Sequence, residues 1–144
     1  MKRYYLAARY SRIDELNKYK QDLEARGNKV TSRWLKGEHR AEDADLDPVF
    51  SADIALKDLL DVYEAGTIIN FTEPPRQQNT TRGGRHVEFG VGLALRRHLV
   101  IIGPRENVFH YLPDVKQYDT WEQFLEVLDG RKDYVGASSV STNP

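Results

Sequence analysis

Apolar positions in this chain fall into short runs separated by stretches of helical spacing, the alternation expected of a sheet covered by helices. Residues 3–8, Arg-Tyr-Tyr-Leu-Ala-Ala, form a β-prone run. Ser11, with Asp14 at the third position, predicts a capped helix with Ile13, Leu16, Tyr19 or Lys20, and Leu23 on one face and a stop at Gly27. Residues 30–35 read as a second strand. The stretch 36–48 is acidic, lacks a hydrophobic period and ends in Asp-Pro, so it is expected to be a mobile loop that could serve as a lid.

Ser51 starts a second predicted helix running to about Ala65 and closed by Gly66. Thr-Ile-Ile-Asn-Phe-Thr at 67–72 reads as a buried strand. A polar loop with Pro74-Pro75 runs to Arg82, and Gly83-Gly84 opens a helix to about Arg97. Residues 99–103 form a fourth strand, and 104–118 are of mixed character. Thr120 with Gln123 is a capping box for a last helix whose Trp121, Phe124, Leu125 and Leu128 face a core and which Gly130 ends. The tail 133–144, small and polar, is expected to be disordered.

Strands alternating with helices predict one α/β domain over residues 1–132. It is Rossmann-like, of flavodoxin-like order, with a parallel five-stranded sheet 2-1-3-4-5 and helices on both faces. Such sheets bind ligands beyond the carboxyl ends of their strands, where the strand order reverses. The loops meeting there are residues 8–12 and 71–84.

Composition narrows the chemistry. The 144 residues carry a net charge of −1, with 21 Lys and Arg against 22 Asp and Glu, which argues against a general nucleic-acid binder. With no cysteine and four histidines (39, 86, 98, 110) at no ligand-like spacing, neither a disulfide framework nor a metal site is expected. Apolar runs such as 99–102 are far below the ~20 residues a bilayer crossing needs, and the N-terminus lacks a signal-peptide core, so no membrane association and a cytoplasmic location are expected.

Two carboxylates break an apolar pattern. In the second helix Asp53, Lys57, Asp61 and Glu64 form a polar row, whereas Asp58 interrupts the row of Ile54 and Val62, placing it either at a hydrated edge or among partners that use it. Glu88 stands among Val87, Phe89, Gly90, Val91 and Gly92 near a helix start. There the helix dipole favours its anion and the glycines admit a ligand, although a first-turn Glu can equally just complement the dipole. Two carboxylates beside a switch-point crevice suit displacement at an anomeric carbon. Residues 7–12, with Arg9, Ser11 and Arg12, offer a cradle for one phosphate, though capped helices with surface arginines look the same. Gly83-Gly84-Arg85 is a weak phosphate signal, and without GxGxxG or Walker sequences a dinucleotide fold is disfavoured. His86 and His110 read as solvent-facing or hydrogen-bonded.

Tyr5-Leu6-Ala7-Ala8, Asp58 ahead of Thr67-Ile-Ile-Asn-Phe, and Gly83-Gly84-Arg85-His86-Val87-Glu88-Phe89-Gly90-Val91-Gly92-Leu93-Ala94 resemble the nucleoside 2-deoxyribosyltransferase superfamily over residues 3–128. Its most specific element is the Glu-X-Gly-X-X-X-Ala helix, here Glu88, Gly90 and Ala94. The resemblance implies Glu88 as the nucleophile at C1′ of the sugar, Asp58 beside it on sugar and base, and Tyr5 positioning the nucleophile. In the branch acting on 2′-deoxynucleoside 5′-monophosphates it implies a phosphate held by Arg9, Ser11, Arg12, Arg82, Gly84 and Arg85. It further implies a homodimer or higher oligomer, with Asn107, Phe109 and His110 completing a neighbour's pocket, a small nucleotide as the substrate, and no cofactor. The chain departs from the pattern at Gly66, where an Asp is usual, and at Ala8 and Arg9, where a Gly is common.

Three functions are therefore expected in order: hydrolysis of a nucleoside 5′-monophosphate to free base and sugar phosphate, base exchange by a deoxyribosyltransferase, and nucleotide sensing without turnover.

Overall fold

The computed structural model describes residues 1–38, 47–76 and 83–136. The elements are β1 (Arg3–Ala7), a 3-10 turn (Tyr10–Arg12), α1 (Ile13–Ala25), β2 (Lys29–Val30), a second 3-10 turn (Arg33–Lys36) and α2 (Pro48–Glu64). They continue with β3 (Thr67–Phe71), α3 (Gly84–Ala94), β4 (His98–Ile102), a third 3-10 turn (Val108–Tyr111), β5 (Val115–Tyr118) and α4 (Trp121–Leu128). All strands run parallel in the order β2-β1-β3-β4-β5, as the alternation predicted.

Helices α1 and α4 cover one face together. Trp121 Nε1 donates to Asp22 at 2.8 Å, Arg26 grips Asp129 at 2.7 Å, and Tyr19 stacks between Phe71 and Trp121 at 5.3 and 4.6 Å. The other face carries α2 and α3, which pack on each other. Gly92 is where α3 approaches closest: a Cβ there would lie 2.6 Å from Ile68 Cγ1 and 3.1 Å from Leu99 Cδ2. Gly92→Ala is therefore expected to lower stability by about 1–3 kcal/mol through overpacking, measurable by urea denaturation.

Several predicted boundaries are corrected by side chains that replace backbone pairing. The second strand stops at Val30 rather than 35. Beyond Thr31, whose N–H reaches Tyr4 O at 2.8 Å, the edge of β1 is closed by side chains. Ser32 Oγ accepts from Leu6 N–H at 2.7 Å and Trp34 Nε1 donates to Leu6 O at 2.8 Å. With both Leu6 groups satisfied, the chain turns away. Ser11 does not cap α1: a 3-10 turn held by Arg12 N–H to Arg9 O at 3.0 Å precedes it.

Helix α2 starts three residues earlier than expected, because Asp47 accepts from Val49 N–H at 2.9 Å and Phe50 N–H at 3.3 Å, with Pro48 pre-set at the first helical position. Gly66 begins the sheet instead of closing that helix, since its N–H bonds Arg3 O and its carbonyl accepts from His98 N–H, both at 3.0 Å. Helix α3 ends at Ala94, not near Arg97, and the chain turns through Arg96 at φ +57°. β5 emerges from the stretch of mixed character, with Val115 and Tyr118 inward. The α4 capping box forms as predicted.

The acidic loop lies outside the described residues at 39–46, as do Arg82 and the tail from 137 onward. Residues 133–136 have no regular structure. Among the described residues no helix is long and apolar enough to cross a membrane.

Candidate active site

In a parallel sheet, residues paired in register share a face. Pairing of Tyr5 with Ile68, Ala7 with Asn70, Ile68 with Leu99 and Asn70 with Ile101 sets these side chains under α2 and α3. The site is built between this face and the two helices, at the carboxyl ends of β1 and β3.

Glu88 lies one helical turn before Gly92, displaced toward those carboxyl ends. Arg85 and Phe89, on the neighbouring stripe of α3, turn to the segment after β4: Arg85 pairs with Glu106, and Phe89 meets the His110 ring edge-on at 5.0 Å. Around the helix axis Glu88 is set back by about 60° from Arg85 and about 100° from Phe89. As a residue it retains partial exposure, but burial, the single cause acting on its carboxyl group, pushes that group up to about 8. It has no hydrogen bond or ion pair among the described residues. The Tyr5 hydroxyl is buried beneath the same helices and also lacks a partner.

Asp58 on α2 is half-buried and without a hydrogen bond among the described residues. Burial first, and then the charge of Asp61, push it up to about 6, while Arg33 opposes the rise. Neither Asp58 nor Glu88 is shifted by the other's charge, so the two act as separate groups rather than as a shared-proton pair. Asp61, expected on a solvated row, is instead buried. It accepts from Arg33 N–H at 2.9 Å and Arg33 Nε at 2.8 Å, clipping the 33–36 turn to α2.

The arginines divide. Arg12 is spent on its own protein: Nε and Nη2 grip Glu15 at 2.8 and 2.7 Å, and Nη1 reaches Glu73 Oε2 at 2.9 Å and Thr72 O at 3.2 Å. Its guanidinium lies 5.7 Å over Phe71, and these contacts hold it above the ordinary arginine range. Arg9 gives one Nη1 to Glu73 Oε1 at 3.2 Å and has no other described partner. Together they strap the β1–α1 loop to buried Glu73 after β3, across the switch point. Ser11 is exposed and its hydroxyl has no hydrogen bond among the described residues, and Gly84 is exposed at the start of α3, which no side chain caps.

Arg85 does not face solvent. Its side chain is 2% exposed against Glu106 at 3%. His86 Nε2 stands 3.9 Å from the same carboxylate, and burial with the Arg85 charge lowers its titration. His110 is fully buried, its Nδ1 accepting from Glu106 N–H at 3.0 Å, and burial drives it down to about 4. It therefore points into its own protomer, and Asn107 caps its own turn through Phe109 N–H at 3.0 Å. Phe109, 57% exposed, is the member of that group directed outward. Sequence reasoning missed Asn70, fully buried in this floor with both amide atoms unpartnered; the signal available was one amide inside an apolar strand run.

A cleft of about 770 Å³ opens at the opposite end of the sheet, among Arg3, Tyr63, Arg97, His98 and Lys116, and holds none of Tyr5, Asp58 or Glu88. Parallel sheets of this order keep their ligands at the carboxyl end.

The class defined by these features is a five-stranded doubly wound α/β domain. Among solved structures, it is similar to the Clostridium botulinum CMP N-glycosidase BcmB, at 19% identity, TM-score 0.57, and coverage of 89% of this chain and 98% of that one. At that identity the likeness is one of fold. No family model matches the sequence, and no curated protein matches it either.

Proposed function

We propose that this protein hydrolyses the N-glycosidic bond of a nucleoside 5′-monophosphate to free base and sugar 5-phosphate, through Glu88 as nucleophile. The observation that carries the reading is Glu88 itself: a carboxyl group buried one turn into a helix, without a hydrogen bond or ion pair among the described residues, with a second raised carboxyl group, that of Asp58, on α2. The fold shared with a CMP N-glycosidase supports it.

In this reading ionised Glu88 attacks C1′ while the C1′–N bond breaks toward the base. Asp58, in its protonated form, delivers the proton that the departing base nitrogen needs. Water then attacks C1′ of the ester, giving its proton to Asp58 and releasing Glu88 as carboxylate. Arg9, Ser11 and the uncapped start of α3 at Gly84 take the phosphate; Arg12 and Arg85 hold the loops that present them. The protein works as a homodimer or larger homo-oligomer in the cytoplasm. The exposed row Val49, Leu56, Leu60 and Tyr63 on α2 and outward Phe109 support a covered face.

The test is chromatography of nucleosides and nucleoside 5′-monophosphates after incubation with wild type and Glu88→Ala, with and without free adenine. Free base from monophosphates alone, lost in the variant, is expected. A new nucleoside on adding adenine means transfer instead, and ligand-induced stabilisation with no product means a sensor.

The two raised groups also set a pH profile. The working form needs Glu88 ionised and Asp58 protonated, so kcat/KM is expected to be bell-shaped about pH 7, with limbs near 6 and 8. Asp58→Asn removes the requirement for a protonated acid. Its residual rate is expected to rise through about 8 and stay level; a retained bell overturns the assignment of Asp58.

A further inference from the structure

Asn70 is the buried polar group in this floor that the mechanism above leaves without a task. It is fully buried in β3, between Ile69 and Phe71, and among the described residues neither its Nδ2 nor its Oδ1 has a hydrogen-bond partner. Leaving a buried amide unsatisfied is destabilising, and a leucine of similar size at this position would remove that cost. An unpaired buried amide calls for an explanation, and a partner that is present in only one state of the protein supplies one.

Register and helix geometry say which partner. Asn70 lies on the α2–α3 face two residues beyond Ile68, the residue Gly92 packs against. Two strand residues advance ~6.6 Å, and the four residues of α3 from Gly92 back to Glu88 retreat ~6 Å in the same direction. The amide therefore sits beneath the turn carrying Glu88. The Tyr5 hydroxyl, likewise buried and unpartnered, rises on the same face from β1, where Tyr5 is in register with Ile68. A protonated carboxyl group has little need of two donors, whereas a buried carboxylate needs them both.

We propose that Asn70 is a positioning residue, its carboxamide Nδ2–H reserved, with the Tyr5 hydroxyl, as a hydrogen-bond donor to Glu88 once that group is ionised. The proposal rests on the reading of Glu88 as the nucleophile only for its consequence in turnover; the hydrogen bond itself is a property of the free protein. The amide fixes which oxygen of Glu88 is aimed upward and leaves the other to the substrate. Other ionisable groups of the packed elements are Asp58 and Asp61, with Arg33 opposite, from the α2 side, Arg85 and His86 from α3, and Glu106 with His110 from the segment after β4. None contributes a resolved shift at Glu88.

The experiment follows the Glu88 carboxyl group directly, by carbon NMR titration of the unliganded protein, in wild type, Asn70→Leu, Asn70→Ser and Tyr5→Phe, alongside thermal unfolding and steady-state kinetics. In Asn70→Leu, Tm is expected to hold or rise, the Glu88 midpoint to move up by about one pH unit, and kcat to fall at least tenfold with KM little changed. Asn70→Ser, which keeps a donor, is expected to recover part of both. An unchanged Glu88 midpoint in a folded Asn70→Leu overturns the proposal. So does a fall in Tm with no change in midpoint, since that marks a purely structural amide. If Asn70→Leu does not fold, Asn70→Ala, which also removes the donor, is decided by the same midpoint. A shifted midpoint in a protein that cleaves no nucleotide upholds Asn70 and removes the hydrolase reading.

Discussion

Glu88→Gln is expected to abolish turnover, lowering kcat by about 10⁴-fold or more, while making the protein more stable in alkali. The first effect follows from losing the group that forms the covalent intermediate, which no neighbour replaces. The second follows from where the folded protein holds its proton. Burial raises the Glu88 carboxyl group from its ordinary 4.5 to about 8. Between those values the native state keeps a proton that the unfolded chain has released. The contribution to stability is therefore complete below 4.5 and is lost as pH rises through 8. Glutamine is neutral throughout and escapes that loss. Denaturation of both proteins is expected to give similar stabilities at pH 5 and a gap of about 1–3 kcal/mol favouring the variant at pH 9. Parallel curves across this range would mean that the Glu88 carboxyl group is hydrated, and its use as a buried nucleophile would lose its physical basis.

What could be read from the sequence was what periodicity and local caps determine. The sheet order came from strand–helix alternation, and the α4 capping box from two residues three apart. Asp58 and Glu88 stood out because each is a charge in an apolar context, a signal a single chain carries. The residues that went astray are those whose surroundings come from far along the chain. Asp61 looks solvated by helical spacing, yet Arg33, far upstream, folds over it. Val30 to Leu35 has strand composition, but the side chains of Ser32 and Trp34 satisfy the sheet edge first. Asn70 reads as one more strand position until its depth is known. Arg9, Ser11 and Arg12 in one loop suggested a phosphate cradle, but how far a guanidinium is committed depends on carboxylates such as Glu73 and Glu106, which sequence distance conceals.

That last point carries the largest expected effect on stability. Arg85 and Glu106 form an ion pair at 2% and 3% side-chain exposure, with Arg85 Nη2 reaching Glu106 Oε2 at 2.7 Å. Glu106 also fixes the turn below it, its N–H bonding His110 Nδ1. Removing one partner of a buried pair leaves the other charge out of water without its carboxylate, so Glu106→Ala is expected to cost about 3–5 kcal/mol. That is a large share of the about 5–15 kcal/mol that holds a domain of this size. Replacing both, Arg85→Met with Glu106→Leu, takes both charges out of the interior and is expected to recover most of the loss, as a calorimetric double-mutant cycle would show. The same double variant separates two roles for Arg85. If the arginine only anchors the first turn of α3, KM for a nucleoside monophosphate stays close to that of the wild type. Arg9→Ala, which removes the less committed guanidinium at the switch point, then raises KM for phosphorylated substrates and leaves nucleosides unaffected. If instead the double variant loses monophosphate binding as severely as Arg9→Ala, Arg85 leaves Glu106 when the phosphate arrives, and the buried pair is the resting state of a ligand contact.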